Sequence, residues 1–153
     1  MITKLNVWLT LPTGEILKAG ELAIKVPDSG GALQGQFRYA LQFLADPSAF
    51  SLDPLHLPMA AESFDADRPH SGVHGVFEDS LPDDWGRRLM ARRYRLGRAG
   101  QRVPHLLQLL GSQGLRALTY AESEFPPALS AEPSSRHLSE IAILGACRII
   151  RIC

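Results

Sequence analysis

The chain has 153 residues and a formal net charge of zero, from 16 basic and 16 acidic side chains. A chain of this length can bury a hydrophobic core as one domain. Its 45% hydrophobic and 21% charged residues exclude a wholly disordered protein, and its neutrality excludes a chain-wide field that would hold nucleic acid or an anionic membrane.

The N-terminus passes directly into alternating sequence, without a charged leader, a long apolar stretch and a cleavage site. No apolar run of the sequence approaches the roughly 20 residues that a membrane-spanning helix needs. The two cysteines, Cys147 and Cys153, lie within the last seven residues, whereas a disulfide framework distributes its cysteines through the chain. We therefore expect a cytoplasmic protein with free thiols.

The first forty residues have the pattern of β-strands. Apolar and polar side chains alternate from Leu5 to Leu11 and again from Glu21 to Val26. Pro12-Thr13-Gly14 lies between these runs and supplies turn chemistry, which predicts a β-hairpin. A third alternating run from Gln36 to Leu41 predicts another strand of the same sheet.

The middle of the chain is predicted to be mostly helical. Leu41–Leu44 can form a helical turn ended by Asp46-Pro47, residues 50–59 form an extended connector or edge strand because they contain two prolines, and residues 60–72 form a loop. The elements expected after this loop are helices at Gly75–Asp79, Asp83–Leu96 and His105–Leu110, and a short strand at Leu115–Ala121. The pattern predicts an α+β fold, a small antiparallel sheet opened by an N-terminal hairpin, with helices packed on it.

Composition divides the chain into three parts. Residues 1–121 form the predicted domain, residues 122–137 read as a linker rich in Ser, Pro and Glu, and residues 138–153 read as a C-terminal helical tail.

Metal binding is not predicted, because His70, His74 and Asp67 lie among Asp, Pro and Gly, where no helix would align the imidazoles. We expect these histidines to be solvated.

The densest chemistry lies in residues 76–102. Seven of the thirteen arginines fall between Arg87 and Arg102, and four acidic residues precede them. On a helix that starts at Pro82, this order places anions at the N-terminal end and cations toward the C-terminal end, which complements the helix dipole. The charges can therefore form a solvated face, or a surface for an acidic partner or for phosphates.

Helical spacing places Trp85, Leu89 and Leu96 on one side of this helix, as a stripe typical of core-facing residues. The same spacing predicts a continuous fan of arginines on another side, formed by Arg87, Arg88, Arg92, Arg95 and Arg98. Trp85 has a second interpretation. It follows a turn-like Leu-Pro-Asp-Asp segment that could present the ring outward, and tryptophan is enriched at binding hot spots.

The segment VFEDSLPDDWGRRLMARR resembles the signature of the HipA-like toxin kinases, in which a phenylalanine precedes Leu-Pro, an acidic residue and an arginine. The matching residues are Phe77, Leu81, Pro82, Asp83 and Arg87. The resemblance covers roughly residues 3–145. It implies that residues 1–121 are a HipA-like N-terminal domain and that residues 138–153 begin the kinase region that follows it in the family.

HipA-like proteins are bacterial Ser/Thr kinases of type II toxin–antitoxin systems, and their nucleotide-binding and catalytic residues follow this domain. The sequence has no Gly-rich phosphate loop in a strand–loop–helix context and no metal-holding Asp motif. We therefore expect no cofactor, no metal and no kinase activity from the chain alone.

The resemblance implies a non-catalytic protein that acts by protein–protein contact, as a regulator or antitoxin of a HipA-type kinase. The implied partners are that kinase or a DNA-binding HipB-type antitoxin, with nucleic acid contacted only indirectly. The implied contact residues are Trp85, Asp83, Asp84, Arg87 and Arg88. Two alternatives stay open, namely a truncated or frameshifted kinase remnant and an accessory nucleic-acid contact through the arginine-rich helix.

Overall fold

A computed structural model of the protein describes residues 2–25, 32–68, 71–111 and 117–126. Its strands are Ile2–Thr10 (β1), Ile16–Lys25 (β2), Gln34–Tyr39 (β3), Ser63–Asp65 (β4) and Leu118–Ala121 (β5). Its helices are Leu41–Leu44 (α1), Gly75–Glu78 (α2), Asp84–Arg93 (α3) and Val103–Leu110 (α4), with a 3-10 turn at Ala99–Gln101. The strands form one antiparallel sheet in the order β4-β3-β2-β1-β5. The predicted α+β class is confirmed.

The N-terminal hairpin is built as the alternation predicts. Leu5 lies opposite Leu22 and Thr10 lies opposite Ile16. The turn between the strands closes where the Gly14 N–H donates to the Leu11 carbonyl at 2.8 Å. Gly14 has a φ of +87°, which glycine adopts without steric cost, so the local turn chemistry fixes the pairing next to the turn. A bulge between Val7 and Trp8 then shifts the register by one residue.

The core lies between one face of the sheet and the helices. Inward-facing residues of β1, β2 and β3 pack with α2, α4 and β5, and the Phe37 ring lies at the centre of this cluster. Its centroid is 5.0 Å from that of Tyr39 and 5.0 Å from that of Phe77. The Tyr39 hydroxyl also donates to the Leu57 carbonyl at 2.8 Å and so fixes the connector that follows α1.

The structure decides between the two predictions for residues 50–59 and corrects the prediction for residues 60–72. Residues 50–59 form a connector and not an edge strand, and a backbone bridge joins Asp53 to Leu57. Within the predicted loop at 60–72, β4 pairs with the outer edge of β3, with Phe64 opposite Phe37. β4 has only three residues and only Phe64 of these is partly buried, too short a run for the alternation of a half-buried strand to appear in the sequence.

Residues 122–126 cross the sheet on the face opposite the core. The Asn6 amide donates to the Ser123 carbonyl at 2.8 Å, and Lys18 forms an ion pair with Glu124. These residues are the start of the predicted linker. The rest of it and the predicted tail at 138–153, with both cysteines, lie outside the described residues, so these boundaries stay predictions. Within the described ranges, no helix is long and apolar enough to cross a membrane.

Candidate partner-binding surface

The turn between α2 and α3 is held by buried side chains. Phe77 is fully buried and packs against Phe37 and Tyr120, and Leu81 is also buried. The Ser80 hydroxyl donates to the Phe77 carbonyl at 2.6 Å. Because that hydroxyl has a single proton, the Tyr120 hydroxyl donates to Ser80 Oγ at 2.7 Å. Burial raises the pKa of Tyr120, which keeps it a donor.

The start of α3 is fixed by Asp83 and Pro82. Asp83 is the N-cap residue, and its Oδ1 accepts the Gly86 N–H at 2.8 Å. The Pro82 ring lies so close to the helix that a Cβ at position 86 would be 2.5 Å from the Pro82 Cβ. Asp84 follows in the first turn and is exposed. Asp83 therefore has a capping role within the chain, whereas the neighbouring Asp84 side chain is exposed.

Arg87 ties α3 back to the domain. Its Nε donates to the Pro82 carbonyl at 2.9 Å, and its Nη1 lies 3.7 Å from Glu78 Oε1. The other oxygen of Glu78 lies 3.5 Å from Arg68 Nη1 in the preceding loop. The guanidinium of Arg87 is thus partly buried and bonded within the chain.

The outward side of α3 carries alternating apolar and basic side chains. Trp85, Arg88, Leu89 and Arg92 follow the spacing i, i+3, i+4, i+7, which places them on one side of a helix, and we call them the α3 face. Trp85 is 63% exposed, Leu89 is 38% exposed, and both arginines are exposed. The predicted core-facing stripe is therefore wrong for Trp85 and Leu89, and of its members only Leu96 packs against the core.

The C-terminal end of α3 differs from the prediction. The helix ends at Arg93 rather than Leu96. The Leu96 N–H bonds the Ala91 carbonyl at 2.8 Å and the Arg95 N–H bonds the Arg92 carbonyl at 3.3 Å, a Schellman motif. Arg95 occupies the left-handed position of this motif, with φ of 52°, where a side chain costs about 1 kcal/mol relative to glycine. Arg95 and Arg98 leave the helix, so the predicted continuous fan is wrong.

His74 is buried, which corrects the expectation of a solvated loop histidine. Its ring lies edge-on to Phe37 and Phe77, and among the described residues neither ring nitrogen meets a partner within hydrogen-bond geometry. Burial lowers the pKa of His74, partly offset by the nearby Asp67 carboxylate. Asp67 also caps α2, since its Oδ1 accepts the Gly75 N–H at 3.0 Å. His70 lies outside the described residues.

The described part of the chain contains no group of three or more His, Cys, Asp or Glu side chains arranged to hold a metal ion. At the start of α3, the exposed indole of Trp85 has the exposed acidic Asp84 before it and the exposed basic Arg88 one turn after it. The sequence reasoning missed Leu89 as a surface residue, although its spacing from Trp85 was the available signal. It also missed the ion pairs of Glu78 with Arg68 and Arg87 and the hydrogen bond that Asp67 accepts from Gly75. These partners lie eight to ten residues away, beyond the spacing of one helical turn.

A family model described as the HipA N-terminal domain matches residues 15–121. The match spans more than half of the chain and includes the whole α2–α3 segment. Neither the curated proteins nor the solved structures contain a match to the chain.

Proposed function

The chain belongs to the HipA N-terminal domain family, and we propose that it acts by protein–protein contact as a non-catalytic regulator or antitoxin of a HipA-type Ser/Thr kinase. The domain found here is not the catalytic part of such kinases. The family also connects the chain to bacterial toxin–antitoxin systems. A protein of this kind would work in the cytoplasm, beside the kinase or a DNA-binding HipB-type antitoxin.

The exposure of Trp85 is the observation that carries this proposal. Trp85 is 63% exposed and Leu89, one turn later, is 38% exposed, so two large apolar side chains lie next to each other on the surface. Contiguous exposed apolar area of this kind marks sites of protein contact. The helix beneath it is capped by Asp83 and anchored through Arg87. Large aromatic side chains on rigid elements are the usual hot spots of protein interfaces.

The exposed neighbours of Trp85 define the rest of the proposed contact. Asp84 supplies an anion at the start of α3, and Arg88 supplies a cation one turn later. Asp83 and Arg87 support the contact as positioning residues, because their side chains bond within the chain. A kinase surface complementary to this region needs a pocket for the indole, flanked by charges opposite to those of Asp84 and Arg88.

The test is inhibition of a purified HipA-type kinase by the full chain and by its Trp85→Ala variant. Loss of a hot spot costs about 2 kcal/mol or more, so we expect inhibition to weaken by about 30-fold. Phe125→Ala is the matched control, because Phe125 is another exposed aromatic residue, 77% exposed, on the segment that crosses the sheet. Unchanged inhibition by a Trp85→Ala variant with a wild-type circular dichroism spectrum would remove Trp85 from this role.

A further inference from the structure

The neutral chain separates its charges along the sequence. Residues 41–84 contain nine acidic side chains and one arginine, whereas residues 85–121 contain eight arginines and no acidic side chain. Complementing the dipole of α3 requires basic residues only in its last turn. The basic stretch extends well beyond that turn, through the 3-10 segment and into the start of α4, so the dipole accounts for only part of it.

Two of these arginines occupy positions that disfavour them. Arg95 holds the left-handed position of the Schellman motif, which glycine fills at lower cost. Arg102 is the residue that caps the N-terminus of α4, and it makes no capping hydrogen bond with its side chain. A cation at that end opposes the helix dipole. Conflicts between local preference and observed structure concentrate at functional sites.

The arginine side chains are available to a ligand. Arg88, Arg92, Arg95 and Arg98 are exposed, and their guanidinium groups make no hydrogen bond or ion pair with another residue of the described ranges. Arg88 and Arg92 lie on the α3 face, and Arg95, Arg98 and the partly exposed Arg102 follow within nine residues of the end of α3. We call these five residues together the arginine surface. Guanidinium groups pair with carboxylates and phosphates in the same bidentate geometry. The positive charge therefore indicates an anionic ligand but does not show whether its anions are carboxylates or phosphates.

We propose that the arginine surface binds an acidic segment of a protein partner, beside the pocket that takes Trp85. This inference rests on the proposed protein-contact function. Trp85 and Leu89 share a helix side with Arg88 and Arg92, and such apolar area suits a protein surface rather than a phosphate backbone. The partner is acidic opposite the end of α3 and apolar opposite its start.

The experiment measures fluorescence anisotropy of three labelled probes with the full chain. The probes are a peptide of consecutive glutamates that ends in two leucines, the same peptide with glutamines, and a mixed-sequence DNA duplex. We expect the glutamate peptide to bind at least tenfold more tightly than either other probe. Exposed ion pairs contribute modestly, so the combined variant R92Q/R95G/R98Q should bind the glutamate peptide about tenfold more weakly, and added salt should weaken wild-type binding.

Two single variants make the test specific. Arg95→Gly should weaken peptide binding about threefold while raising the melting temperature by about 3 °C, because it relieves the left-handed backbone. Arg38→Gln is the matched control for loss of one positive charge, since Arg38 lies on β3 and pairs with Glu21. It should leave peptide binding unchanged.

Tighter binding of the duplex would overturn the proposal in favour of nucleic acid. Equal binding of the glutamate peptide by the wild type and the combined variant would also overturn it, as would equal binding of the glutamate and glutamine peptides. No kinase is present in this experiment, so these results are independent of the inhibition test with Trp85→Ala.

Discussion

Replacing Asp83 by alanine and by asparagine separates the capping of α3 from the effect of a negative charge. The Asp83 Oδ1 accepts the Gly86 N–H at 2.8 Å, and removal of such a cap costs about 1 kcal/mol. The carboxylate also interacts with the positive end of the helix dipole, worth about 0.5 kcal/mol at an exposed site. Alanine loses both contributions, about 1.5 kcal/mol, whereas asparagine keeps an oxygen acceptor and loses about 0.5 kcal/mol.

Thermal unfolding followed by circular dichroism measures the difference. At about 3 °C per kcal/mol for a chain of this size, Asp83→Ala should lower the melting temperature by roughly 4 °C, and Asp83→Asn by roughly 1.5 °C. High salt should diminish the asparagine effect, because it screens an exposed charge. Asp84→Ala is the matched control, since Asp84 is the neighbouring exposed carboxylate and makes no capping bond.

Equal loss of stability in the two Asp83 variants would refute the capping interpretation, as would an unchanged melting temperature for Asp83→Ala. The same variants bear on the partner surface. If Asp83 acts only by positioning α3, Asp83→Asn inhibits a HipA-type kinase as well as the wild type does. A strong loss of inhibition in a stable Asp83→Asn variant would instead assign its charge to the contact.

Two further predictions concern the interior and the start of α3. Because burial holds the pKa of His74 below its usual value, the unfolded chain takes up a proton first as the pH falls below about 6.5, and stability declines. Between about pH 7 and pH 5, the free energy of unfolding measured in denaturant titrations should fall by up to about 2 kcal/mol less in His74→Leu than in the wild type. Parallel curves of unfolding free energy against pH for the two proteins would contradict this. Gly86→Ala should lower the free energy of unfolding by about 1 kcal/mol, because overpacking against Pro82 outweighs the better helix propensity of alanine. A higher unfolding free energy by the same method would contradict this and show that the turn can relax.

The hairpin could be predicted because its determinants are local. Alternation over β1 and β2 and a Pro-Thr-Gly turn act within a few residues of one another, and the pairing next to the turn follows. The shift of register at Val7 and Trp8 had no signal in the alternation. For the candidate site, the sequence indicated the segment around α3 but not which side of that helix is exposed. A stripe such as Trp85 and Leu89 has the same spacing whether it faces a core or a partner, and the choice depends on which side of α3 the rest of the chain covers.

Other features depend on contacts that sequence spacing does not contain. The cap of α2 comes from Asp67, eight residues before the Gly75 N–H that it accepts. The end of α3 was predicted too late because arginine is an unusual residue in the left-handed position that Arg95 occupies. Burial of His74 likewise follows from the packing of Phe37 and Phe77 around it.

The capped ends of α3 and its anchor through Arg87 have a consequence for the kinetics of recognition. The helix is closed at its start by Asp83 and at its end by the Schellman motif, and Arg87 joins it to α2 before any partner arrives. Little backbone entropy is then left to lose on association, so docking resembles the meeting of two rigid bodies. Substitutions on the α3 face should consequently shorten the lifetime of the complex more than they slow its formation.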